Sequence, residues 1–73
     1  MYHRELEREE HTQRFLIIPS HGDGWEVRQE RDNEVLVTRR VYDWHRVESA
    51  RRWFASEVAQ LRAAGWTEIA SRS

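Results

Sequence analysis

The sequence contains no cysteine, so neither a disulfide nor a thiolate metal site can brace the fold. Pro19 is the only proline, and Gly22, Gly24 and Gly65 are the only glycines, so the backbone has few marked places to break or reverse. Lysine is absent as well: all twelve basic residues are arginine. A GC-rich coding sequence accounts for such a bias, and the functional alternative is selection for bidentate recognition of carboxylate or phosphate. Charge of one sign is not in excess. The net charge of −1 argues against a dedicated nucleic-acid binder, which is usually clearly basic. No run approaches the ~20 apolar residues of a membrane span. Residues 1–10 are charged throughout rather than opening on an apolar signal segment. A soluble cytoplasmic protein is the expectation.

Seventy-three residues make one domain. A chain of this size buries only about 60% of its unfolded surface. Four tryptophans, two tyrosines and two phenylalanines add large buried areas in compensation. Short chains without covalent staples often depend on a second copy of themselves.

The clearest periodic stretch predicts a helix over residues 44–64. Trp44, Val47, Phe54, Val58 and Leu61 recur at the spacing of one helix face. Asp43 can cap the first turn with its carboxylate. Gly65 stands where a left-handed stop is favoured, and Arg62 suits the C-terminal end of the dipole. A start at Ser49 is the alternative and would leave 43–48 as an ordered loop. Trp44 and Val47 extend the stripe and favour the earlier start.

Strands are expected over 13–19, 25–31 and 34–42. Phe15-Leu16-Ile17-Ile18 is the strongest of these runs, ended by Pro19 and followed by a turn through 20–24. The second and third strands form a hairpin whose register sets the core. A two-residue loop at Asp32-Asn33 pairs Glu30 with Val35 and divides the valines between faces. A three-residue loop, Arg31-Asp32-Asn33, pairs Gln29 with Val35 and Val27 with Val37, and gathers Trp25, Val27, Val35, Val37 and Val41 on one face. The three-residue loop is therefore expected. Residues 1–12 alternate in a way that allows an edge strand or a frayed end, with a turn at His11-Thr12 or over 10–12. Trp66 and Ile69 are expected to fold back on the core edge or a partner, and 70–73 to fray. The fold class that results is α+β: an antiparallel three- or four-stranded sheet, β-β-β-α or β-β-β-β-α, covered on one face by a single C-terminal helix. The expected core is Phe15 and Ile17 (or Leu16 and Ile18), Trp25, Val27, Val35, Val37 and Val41, under Val47, Phe54, Val58 and Leu61.

One helix covers one face, so apolar residues on the other face call for a partner. Leu16, Ile18, Leu36 and Tyr42, with Trp53 and Trp66, are the candidate interface. The expected function is a small non-enzymatic protein-interaction module, homodimeric through the outer sheet face. An accessory subunit of a larger assembly would use the same patch. The alternative is a weak nucleic-acid binder using Arg39, Arg40, Arg51 and Arg52 with Tyr42 and Trp53, because arginine beside exposed aromatics suits single strands. His3, His11, His21 and His45 lack metal-ligand spacing, and His21-Gly22-Asp23 and Asp43-Trp44-His45 read as solvated turn and helix-start residues. No nucleophile elbow or phosphate loop is present, and no cofactor is implied. A chain this small leaves little room for a ligand-sized cleft.

The order of strands and then one helix ending in Gly65-Trp66 resembles in layout the WGR type of nucleic-acid-associated domain. The Trp-Gly-Arg signature is missing, since Trp44 is followed by His45-Arg46, and no function carries over from layout.

Overall fold

Alternating and helical periodicities resolve into six elements in the computed structural model, which describes residues 1–72. They are β1 (Tyr2–Arg8), β2 (His11–Pro19), β3 (Trp25–Arg31), β4 (Glu34–Val41), α1 (Trp44–Ala63) and β5 (Thr67–Arg72). The five strands form one antiparallel sheet in the order β4-β3-β2-β1-β5. The fold is thus α+β, with one more strand than expected. Because β5 adds to β1, the N-terminal strand is interior rather than an edge, paired with β2 over Tyr2–Arg8. Residues 70–72, expected to fray, belong to β5; residue 73 lies outside the described residues. The first turn is Glu9-Glu10, one or two residues ahead of the expected 10–12 or His11-Thr12, with Glu9 at a φ of 57°.

The β3–β4 hairpin departs from the expected register in an instructive way. Its loop has two residues, not three: Asp32 and Asn33 both take left-handed angles, at φ 51° and 68°, and Arg31 pairs with Glu34. That turn alone would have put the valines of β4 on the outer face. A bulge at Leu36 restores the phase, so that Val37 pairs with Gln29 and Val41 with Trp25. Val37 and Val41 therefore join the helix side with Trp25 and Val27, as expected. Val35 pairs with Glu30 on the outer face and is exposed, against expectation.

The buried core comprises Leu6, Phe15, Ile17, Val27, Val41 and Tyr2 from the sheet, with Val47, Phe54 and Val58 from α1. Trp25, Ala50, Leu61 and Trp66 pack around it half-buried. Phe54 is fully buried, edge-on to Phe15 at 5.0 Å and stacked on Tyr2 at 5.9 Å. Tyr2 and Leu6 were not expected inside, because β1 reads as polar until β2 and β5 flank it.

Both helix ends follow from local chemistry. Asp43 Oδ1 accepts the Arg46 amide at 2.9 Å, which settles the start at Asp43 rather than Ser49. At the other end Gly65 adopts φ 100°, Trp66 N–H reaches the Leu61 carbonyl at 2.9 Å, and Gly65 N–H reaches that of Arg62 at 3.1 Å. This is the Schellman arrangement, with its apolar pair supplied by Leu61 and Trp66 against the core.

Two clamps tie distant strands together. Arg4 Nε and Nη2 donate to the two carboxylate oxygens of Glu68 at 2.8 and 2.7 Å, joining β1 to β5 on the helix side. The Glu68 carboxylate pushes the Arg4 guanidinium further above its ordinary value, against the opposing effect of desolvation. Asp32, at the β3–β4 turn, accepts the Thr12 amide and lies 2.9 Å from His11 Nδ1, while its own amide bonds the Thr12 carbonyl. The Thr12 N–H, and then His11, lower the Asp32 pKa below its ordinary value.

Phe54→Ala should lower the unfolding free energy by about 3–5 kcal/mol, against a total of roughly 4–11 kcal/mol for a chain of this length. Urea titration should find a strongly lowered midpoint; a midpoint near the parent's would misplace the helix face. The Asp32 contribution has a definite sign. A carboxylate whose folded pKa is depressed stabilises above its unfolded value near about 4 and loses that contribution as pH falls through the folded value. Thermal melts from pH 5 downward should therefore fall less steeply for Asp32→Asn than for the parent, and parallel curves would dismiss the clamp.

Candidate functional site

The place where the sheet is left uncovered follows from where α1 lies. Its closest packing is on β2 and β3, under Phe54, Val47 and Val58, so the helix-side face of β4 is buried at Val41 but open around Arg39. A groove of about 660 Å³ runs between them. Val27, Arg39 and Val41 form its floor, and Asp43, His45, Arg46, Ser49, Ala50 and Trp53 form its helical wall. Contrary to the expectation of little room, this volume falls in the range of ordinary ligand sites. The reason is lateral: a single helix over β2 and β3 cannot span five strands.

Arg39 occupies an unusual position on that floor. It pairs across β3 with Val27 and stands between Val37 and Val41 on the same row of β4. Its guanidinium makes no ion pair or hydrogen bond among the described residues. Arg46, by contrast, lies 3.5 Å from the Asp43 carboxylate that caps the helix. Ser49, the hydroxyl of the groove, is approached by Arg52 Nη2 at 3.4 Å. Trp53 rests one side of its ring against Phe54, 5.1 Å between centroids, and remains 37% exposed. β4 is also the terminal strand on this side, so its outer main-chain groups face no other strand among the described residues.

The outer sheet face has a different character. His3, Glu5, Arg14, Glu30, Arg28 and Glu26 form a ladder of alternating charge across β1, β2 and β3, with contacts of 3.5 Å (His3–Glu5), 3.4 Å (Glu5–Arg14), 3.5 Å (Arg14–Glu30) and 3.3 Å (Arg28–Glu30), and Arg28 also paired with Glu26. Glu26, then Glu30, raises the Arg28 pKa. The register places Leu16 beside Arg28 and Ile18 beside Glu26. The charged row of β3 thus separates Leu16 and Ile18 from Val35 and Leu36 on β4. The contiguous apolar patch expected there is divided into two small pieces.

The remaining candidates are dispersed. Leu36 is the bulged residue and is 52% exposed, and Tyr42 is 64% exposed. Tyr42 lies against Gly24, where an added Cβ would also meet the Val41 carbonyl oxygen at 2.5 Å. Trp66 is half-buried against the core. Of the arginines proposed for nucleic acid, Arg39 faces the groove and Arg40 pairs with Glu26 on the opposite face. Arg51 lies 5.6 Å over the Tyr2 ring, away from the groove, and Arg52 is exposed beside Ser49. Only Arg39 and Trp53 come together. Sequence reasoning missed His45, Arg46 and Ser49 as their companions. The signal was present, since Arg46, Ser49, Ala50 and Trp53 follow the spacing of a second helix stripe. No helix among the described residues is long and apolar enough to cross a membrane.

No protein-family model, curated protein or solved structure matches the chain.

Leu36→Glu should change stability by no more than about 0.5 kcal/mol, as for surface positions generally. Chemical denaturation would show it, and a large loss would mean that Leu36 is packed and the bulge is misplaced.

Proposed function

We propose that this protein is a non-enzymatic binding module. Its working surface is the groove between α1 and β4 together with the free edge of β4, and it receives an extended segment of a partner protein as an added strand. The observation that carries this reading is the coincidence of an unpaired strand edge with a ligand-sized groove along the same strand. Main-chain bonds to an edge supply affinity in such complexes, and side chains entering an adjoining groove supply selectivity. The bulge at Leu36 disrupts one end of the edge, which leaves Val37–Val41 as the regular stretch open to pairing. The groove hydroxyl of Ser49 is approached by Arg52 and makes no hydrogen bond to His45 or to a carboxylate among the described residues, which supports binding over nucleophilic chemistry.

Self-association through the outer sheet face has less support, because charged β3 residues divide its apolar side chains. A single-stranded nucleic acid is the second reading, favoured by Arg39, Arg46 and Trp53 lining one groove.

Ser49 is exposed, so Ser49→Trp fills the groove without entering the core. Random peptides selected by display against the parent chain should bind this variant at least about tenfold more weakly, a difference of 1.4 kcal/mol. They should also shift the amide resonances of β4. Selected peptides that ignore Ser49→Trp and leave β4 unperturbed would place the working surface elsewhere.

A further inference from the structure

Arg39 is an exposed guanidinium set in a row of valines, on the side of the sheet that faces the helix, with no partner among the described residues. Arg4 is engaged with Glu68, Arg14 with Glu5 and Glu30, and Arg28 with Glu26 and Glu30; among the described residues Arg8, Arg31 and Arg40 form no ion pair either, but they do not line the groove, and Arg39 does. We infer that the segment received by β4 carries an acidic side chain opposite Arg39, with apolar side chains two positions to either side. This rests on the reading of β4 as the docking edge and specifies what docks there.

The register dictates the pattern. A strand laid along β4 presents alternate side chains to the helix side, directly across from Val37, Arg39 and Val41 in turn. Cross-strand neighbours stand about 4.5–5.5 Å apart at Cβ, which brings a carboxylate on the central residue within reach of the Arg39 fork. The flanking residues meet Val37 and Val41, and the open side of Trp53 gives the groove a further apolar wall. Arg46 adds positive potential from the helix, although Asp43 already holds it at 3.5 Å. A second copy of this chain is a poor occupant in the equivalent register. Antiparallel pairing of two β4 strands centred on this row sets Arg39 against Arg39, and like charges directly opposite repel.

A polyanion is also less well served. Arg40 is on the opposite sheet face and Arg51 is committed to Tyr2, so a nucleic acid strand in the groove meets Arg39 and Arg46 in its lining and Arg52 at its rim, beside Ser49. The chain as a whole carries −1, and nucleic acid would leave the main-chain groups of β4 unused. Among extended polymers an acidic peptide strand uses both features of the site: the free cation and the free edge.

The test is a set of three capped peptides identical except at the centre, which is Glu, Gln or Lys, with valine two positions to either side. Each is titrated into the full chain and followed by calorimetry and by amide shifts of β4. The Glu peptide should bind about tenfold more tightly than the Gln peptide, and the Lys peptide more weakly than either. Arg39→Gln should remove the difference between the Glu and Gln peptides, and Arg39→Glu should transfer the preference to the Lys peptide. N-methylation of alternate peptide amides should abolish binding if the strand edge is used. Equal binding of the Glu and Gln peptides, with β4 shifted by both, would overturn the charge inference and leave the edge reading intact. Peptides that leave β4 unmoved would overturn both. Oligothymidylate binding in the groove, steeply weakened by salt, with no response to the peptides, would assign the site to nucleic acid instead.

Discussion

Phe54 sets the position of the helix, and much of the remaining architecture follows from that placement. Its ring is completely buried and touches Phe15 on β2 and Tyr2 on β1, so the helix axis is drawn toward the middle of the sheet. Aromatic contacts of this kind add specificity of geometry to the general attraction of apolar burial. With the helix held there, β4 is buried on its inner side only at Val41, and the stretch around Arg39 stays open. Trp53, the next-door neighbour of Phe54, is turned by about 100° around the axis and so stands at the wall of the opening. The same residue pair thus seals the core and shapes the groove.

The two edges of the sheet are treated alike. β4 bulges at Leu36 and β5 is irregular where it passes Glu5 and Leu6, around Ile69. Each irregularity leaves a large aliphatic side chain half in water, Leu36 at 52% and Ile69 at 47% exposure. Bulges twist an edge away from further pairing, which protects a small sheet against stacking into aggregates. On β4 the bulge sits at the turn end, so the protection is partial and the regular half of the strand stays available. A docking edge and a guarded edge therefore coexist on one strand.

The outer sheet face shows how such a small domain tolerates an uncovered sheet. Carboxylates and guanidinium groups alternate across three strands, each flanked by the opposite sign. Exposed ion pairs contribute little energy individually. Leu16 and Ile18 are half-buried among them, each paired with a charged residue of β3 that carries a long aliphatic stem.

The helix was legible down to its caps, because Asp43, Gly65 and the stripe from Val47 to Leu61 act through neighbours a turn away. Strands β2, β3 and β4 were legible for the same reason. The hairpin register was half legible: the face shared by Trp25, Val27, Val37 and Val41 could be reasoned from burial, but the bulge that achieves it could not. Nor could the fifth strand, since Thr67–Arg72 has no strong alternation and becomes a strand only through β1. Tyr2 and Leu6 entered the core by the same long-range pairing. Of the candidate site, Arg39 and Trp53 were named from sequence, yet their meeting with Arg46 and His45 depends on how far the helix is offset from β4. By itself the sequence determined what is local: periodicity, caps, turns and the balance of charge. Only the tertiary structure decided which strands are neighbours and where the sheet stays open, because those depend on contacts between segments some sixty residues apart, such as Arg4 with Glu68, that no local pattern encodes.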